Sequence, residues 1–146
     1  MTTTHLTRPS TAAIVAGALF ACEGQGIYHS DPAVHVPTAI DFCGIGEEPL
    51  RQGQIIGESL NRTRRLVNEP PSELYPESFA RHAAKWGGEA GLQVEVWDEK
   101  KLEAEGCRAM LAVGRGSTKP PRLVVLRHQG GGDEPPIALV GKGVTF

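Results

Sequence analysis

The sequence predicts an α/β protein, on three observations. From residue 76 onward, apolar patterns of helical period alternate with short runs of strand length. Glycine and proline are abundant, at 18 and 11 of 146 residues, and punctuate the chain into short elements. Helices alternating with strands are the pattern of an α/β layer with a partly parallel sheet. A chain of this length suits one domain or parts of two. A globular chain of the size buries roughly 70% of its unfolded surface, so a core is attainable.

Charge and cysteine usage exclude some functions. The formal net charge is −2 and the pI is about 6.2, which gives no reason to expect a nucleic-acid or acidic-membrane partner. Cys22, Cys43 and Cys107 are odd in number and far apart, with no Cys-x-x-Cys pair. That argues against a zinc knuckle or a redox motif. Reduced thiols in the cytosol are the simplest account.

The first element lies in the apolar run Ala12 to Cys22. Arg8 precedes it, and Leu19-Phe20-Ala21-Cys22 faintly resembles a lipoprotein cleavage box. The run suits a signal-peptide core and is too short to span a bilayer. Phe20 is bulky where such a box wants a small residue. The preferred reading is a helix, with Ile14, Ala18 and Ala21 on one face and Val15, Leu19 and Cys22 beside them. Thr11 or Ser10 is the expected cap. Export as a lipoprotein is the competing reading.

Residues Glu23 to Pro49 are rich in loop formers, with one predicted strand, Pro37 to Phe42. Cys43-Gly44 ends it, and Glu47-Glu48-Pro49 opens the next element. Gly53 to Val67 has the clearest helical pattern: Ile56, Leu60, Thr63 and Val67 share a face, with Ile55, Ser59 and Leu66 adjoining. Glu58 and Arg62 form an i,i+4 pair. Arg62, Arg64 and Arg65 suit a solvated helix end better than an anion site. Pro70-Pro71 stops the helix.

Pro76 is placed to open the next helix, with Phe79, Ala83 and Trp86 as its stripe. Gly87, Gly88 and Gly91 are expected to break it. Leu92 to Trp97 alternates as a half-buried strand. Asp98 is the expected cap of a short helix, Glu99 to Glu105, and Gly106 its end. Met110 to Val113 is a short apolar run. Arg122 to His128 and Ile137 to Val140 read as two further strands, antiparallel if the Gly-rich turn between them is a hairpin.

The possible chemical motifs thin out quickly. Gly114-Arg115-Gly116-Ser117-Thr118-Lys119 begins like a dinucleotide fingerprint but lacks its third glycine, and Pro120-Pro121 forbids the helix that must follow. Gly141-Lys142-Gly143 is not a phosphate-binding P-loop, which needs Ser or Thr after the lysine. His5, His29, His35, His82 and His128 show no metal-binding spacing. Glu47-Glu48 and Asp133-Glu134 read as solvated carboxylates in turns. Lys142, after a buried strand, is ordinarily a solvated turn residue.

Three segments carry a family resemblance. Leu139-Val140-Gly141-Lys142-Gly143-Val144-Thr145-Phe146 resembles the segment that opens the metal site of the leucyl aminopeptidases, the cytosolic two-metal family. Val113-Gly114-x-Gly116-Ser117 with Pro120-Pro121-Arg122-Leu123 is similar to a second run of that family. Val67-Asn68-Glu69-Pro70-Pro71, followed by Pro76, is similar to the turn that leads into its catalytic domain. The resemblance is strong from Asn61 to Phe146 and weak before Pro49.

The resemblance implies an organisation and an activity. Residues 1–50 would be the tail of an N-terminal α/β domain, 51–68 a linker helix, and 69–146 the first helix and strand units of an α/β/α catalytic domain. The activity implied is metal-dependent release of N-terminal amino acids from peptides with a free N-terminus. Two divalent ions, manganese or zinc, would bind the substrate and activate a bridging water. Lys142 would ligate one of them, and no other catalytic residue of the family falls within the chain. The family is usually hexameric and cytoplasmic. A nucleic-acid role, known for some bacterial members, finds no basic patch here, and no membrane role is expected.

The chain stops one residue before the family's first aspartate ligand, and is expected to be an N-terminal fragment or a truncated relative. Ligation needs a neutral amine. An ordinary lysine has a pKa near 10.4, so holding it neutral at pH 7 costs roughly 4 to 5 kcal/mol. Two cations offset that, and their carboxylate ligands lie beyond Phe146. The chain alone is therefore expected to bind no catalytic metal tightly and to be inactive. The alternative is a non-catalytic relative acting as a binding or assembly module on full-length subunits.

Overall fold

The structure is a computed structural model, and it describes residues 8–24, 28–30 and 36–145. His5, His35 and Phe146 lie outside the described residues. The described residues form five helices and two strands in the order α1 (Arg8–Ala21), α2 (Glu47–Asn68), α3 (Pro76–Glu89), β1 (Gln93–Trp97), α4 (Glu99–Ala104), α5 (Arg108–Gly114) and β2 (Leu123–Arg127). The chain divides into two compact units, Met1–Glu69 and Pro70–Phe146. The α/β class is as the sequence predicts.

The first unit is a pair of packed helices. The expected helix over the apolar run is present as α1. Its described residues begin at Arg8, so Thr11 and Ser10 lie within the helix rather than before it. Its packed face is Ala12, Val15 and Ala16, which are 0–6% exposed, whereas Ile14 is 46% exposed. The cause lies on α2. Gly53 and Gly57, four residues apart, are its buried positions, and they let the two backbones approach closely. A Cβ on Gly53 would sit 2.5 Å from Val15 Cβ and 2.6 Å from the Ala12 carbonyl oxygen. A Cβ on Gly57 would sit 2.9 Å from Leu19 Cβ. The expected stripe of α2 is not its buried face: Ile56 and Leu60 are 49% and 44% exposed, lining a shallow groove with Ala16 and Phe20 of α1, and Val67 is 77% exposed.

The ends of these helices are tied together. The Asn61 amide donates to the Leu19 carbonyl at 2.8 Å, and the Arg64 guanidinium donates to the Phe20 carbonyl at 2.6 Å. These bonds add a second donor to carbonyls in the last turn of α1, which also accept from the Cys22 and Glu23 amides. Arg64 also stacks over the Phe20 ring, 3.8 Å from its centroid. So Arg64, read from the sequence as a solvated helix end, has a structural task. Helix α2 begins at Glu47, earlier than its apolar period suggested. Glu47 and Glu48 favour its first turn, and Pro49 is tolerated there. Arg51 and Gln52 both bond Glu48. The strand expected over Pro37–Phe42 is not formed. The run is too short and too exposed to hold a ladder without a partner.

The second unit sets one helix against a two-stranded sheet. The ladder is antiparallel, with Gln93 opposite Arg127, Glu95 opposite Val125 and Trp97 opposite Leu123. It contains no parallel pair, contrary to the expected partly parallel sheet. The expected strand over Ile137–Val140 is not formed either, and its aliphatic side chains are almost fully exposed. Helix α3 opens at Pro76 as predicted. The Ser78 hydroxyl accepts from the Tyr75 amide at 2.9 Å and donates to the Glu73 carbonyl at 2.7 Å.

The glycines expected to break α3 do not all do so, since the helix runs through Gly87 and Gly88 to Glu89. Gly87 is buried because a Cβ there would lie 2.7 Å from Val94 and 3.1 Å from Leu126. It is where the helix meets the sheet. Gly91, with φ of 73°, makes the turn into β1. Asp98 caps α4 as predicted, accepting from the Lys101 amide at 2.9 Å. Gly106, with φ of 73°, ends it. The Cys107 amide then returns to the Leu102 carbonyl at 2.8 Å. Leu102, with no exposed surface, and Ala80 are the buried apolar side chains of this unit. The apolar run Met110–Val113 belongs to helix α5.

Candidate metal-ligand segment

The segment that bears Lys142 runs along the wall of the second unit. Gly141 to Thr145 line a groove of about 630 Å³ with Phe79 of α3, Met110 and Val113 of α5, and Leu123 and Val124 of β2. A Cβ on Gly143 would meet the tip of the Phe79 ring at 4.0 Å, so the segment rests lightly on α3. Lys142 is exposed.

The opposite wall is built by the run Val113 to Leu123. Helix α5 ends at Gly114, and the Ser117 amide donates to the Gly114 carbonyl at 3.1 Å. The Ser117 hydroxyl then accepts from the Lys119 amide at 3.0 Å. This tight turn brings Pro121 back onto Gly114. A Cβ at Gly114 would lie 2.7 Å from the proline ring. The spacing of that motif is thus a packing requirement. Glycine leaves the room the second proline fills.

The groove is cationic. Lys142 is joined there by Lys119 and Arg122. The Arg122 side chain is 15% exposed, pairs with Glu99 at 2.6 Å and donates to the Pro121 carbonyl at 3.0 Å. The Lys119 amine stands 4.1 Å from the centroid of the Tyr75 ring. Sequence reasoning singled out Lys142 and passed over these two. Their signal was present in Lys119-Pro120-Pro121-Arg122, where prolines fix both side chains in one turn.

This set does not fit a pair of divalent cations. Manganese and zinc want several carboxylate or imidazole donors. The groove lining holds two exposed amines and one guanidinium but no carboxylate or histidine. Among the described residues no group of three His, Cys, Asp or Glu comes together. His82 packs on Trp86 at 5.2 Å between ring centroids. No helix among the described residues is long and apolar enough to cross a membrane.

Comparison with known proteins adds what the groove alone does not supply. Residues 61–146 match the family model for the cytosol aminopeptidase family, catalytic domain. A "Probable cytosol aminopeptidase" of Rhodopirellula baltica is 60% identical over 134 residues, which is 92% of this chain and 26% of that protein. One from Nocardia farcinica is 50% identical over 111 residues, covering 76% of this chain and 21% of the relative. One from Micrococcus luteus is 45% identical over 97 residues, covering 66% and 19%. The matched part of the chain therefore spans 19–26% of the length of these curated relatives. No solved structure gives a significant match.

Proposed function

We propose, starting from the fact that this chain belongs to the cytosol aminopeptidase family, that it serves as part of a metal-dependent, leucyl-type aminopeptidase. The longer enzyme releases N-terminal residues from peptides in the cytoplasm, as a homo-oligomer that its family resemblance makes a hexamer. Lys142 is the residue of this chain that reaches its metal site. The observation that carries this reading is the position of Lys142. It stands in a glycine-flanked segment within the matched residues 61–146.

The fit of the groove limits what the chain does alone. The lining holds no carboxylate and Lys142 is exposed, so the groove offers a metal pair too few donors. The other ligands of a manganese or zinc pair would come from polypeptide other than the described residues. The same observation favours a second reading, a non-catalytic module that packs on full-length subunits.

Titration calorimetry and an activity assay test the proposal. The isolated chain is expected to show no micromolar binding of manganese or zinc and no hydrolysis of a leucine anilide. Two-site micromolar binding would overturn it.

A further inference from the structure

We propose that Arg122 is a positioning residue for the peptide hydrolysis proposed above: clamped by Glu99, it fixes the groove wall that faces the Lys142 segment. This rests on that functional reading. Arg122 directly precedes Leu123, the first residue of β2, which pairs with Trp97 at the end of β1. Glu99 opens α4 just after Trp97. The Arg122–Glu99 bond of 2.6 Å therefore ties the start of β2 to the start of α4. The same nitrogen, Nη1, also turns back to donate to the Pro121 carbonyl at 3.0 Å. Arg122 lines the groove together with Gly141, Lys142 and Gly143.

Burial sets this pair apart from an ordinary surface one. The Arg122 side chain is 15% exposed, whereas Arg127 and Glu95, which pair across the same sheet, are 51% and 40% exposed. An arginine is rarely so buried without a partner. A buried ion pair adds little stability over an apolar replacement, and its best use is to fix geometry. The turn before β2 needs such fixing. Pro120 and Pro121 have no amide hydrogen to donate to a bond of their own. Their rings set the shape of the turn, and the packing of Pro121 on Gly114 sets its depth. Arg122 sets where the turn stands against α4. The Lys142 segment lies across the groove from this wall, and displacing a reacting group by about 1 Å costs roughly 100-fold in rate. Both Arg122 contacts use one nitrogen, so a lysine ammonium can take them over in part, whereas an uncharged glutamine loses the ion pair.

The test uses a chimera in which this chain replaces the matched segment of the Rhodopirellula relative, assayed on a leucine anilide, and nuclear magnetic resonance of the full 146-residue chain. Arg122→Gln should lower kcat about 10-fold or more, with KM and melting temperature little changed. Glu99→Gln should do the same. The double variant should be no worse than either, because both changes remove one interaction. Arg122→Lys should recover most of the loss. Arg127→Gln, which breaks the exposed pair, should leave kcat within about twofold of the wild type. In the chain alone, the amide signals of residues 141–145 should shift in Arg122→Gln and stay in place in Arg127→Gln. Unmoved signals would overturn the proposal, and so would equal kcat losses from the two arginine variants or additive losses in the double variant. Lys142→Ala separates this proposal from the functional one. Activity lost with Lys142→Ala but kept with Arg122→Gln would overturn the positioning role alone. A chimera that is inactive, or indifferent to Lys142, would sink the functional reading, and the amide shifts would still decide whether Arg122 sets the groove wall.

Discussion

Glu95 shows what a single residue does in this fold. It lies on β1, and its carboxylate accepts from the Trp97 indole at 2.6 Å and from the Arg127 guanidinium at 3.1 Å. Those two hydrogen bonds hold its pKa below the usual carboxylate value. A carboxyl whose folded value is lowered stabilises the fold above its unfolded pKa, near 4.3, and loses that contribution as pH falls through the lower folded value. Acid titration of Glu95→Gln should therefore show a shallower loss of stability below about pH 4 than the wild type. Identical acid limbs would show that the network contributes nothing. The alternation of β1 already put Glu95 and Trp97 on one face. Arg127 was not legible, because its diagonal position depends on the register with β2.

At the scale of elements, some caps and stops were legible, and the packed face of α2 was not. Pro76, Asp98 and Gly106 act through local backbone chemistry, which the sequence states directly. The face of α2 depends on a neighbour. Its large residues pointed to Ile56 and Leu60, but close backbone approach at Gly53 and Gly57 decided the packing. Gly53→Ala should thus destabilise the first unit by about 1–3 kcal/mol, since Val15 and the Ala12 carbonyl have no room to yield. At Gly17 nothing lies within 4 Å of an added Cβ. Gly17→Ala should be neutral or stabilise by up to about 1 kcal/mol through helix propensity. Urea melts of the two variants check this. Equal effects would contradict the close-packing account.

At the scale of the molecule, the α/β class and the family were legible because both rest on local patterns, the first on periodicity and the second on glycine, proline and lysine spacings. Two predicted strands, Pro37–Phe42 and Ile137–Val140, were not formed, since a strand exists only with a partner along its edge. The candidate site is legible to the same extent. Lys142 was singled out by its motif, and that Lys119 and Arg122 line the same groove emerged only from the fold. The account's central claim is that this chain supplies a working Lys142 to a longer metal-dependent aminopeptidase. The most direct measurement replaces the matched segment of the Rhodopirellula relative with this chain and compares kcat/KM for a leucine anilide with and without Lys142→Ala. The account predicts an active chimera that a chelator silences, and a loss of at least 100-fold on substitution, about 2.7 kcal/mol of transition-state stabilisation. A folded chimera that is inactive, or one whose activity ignores Lys142, would contradict it.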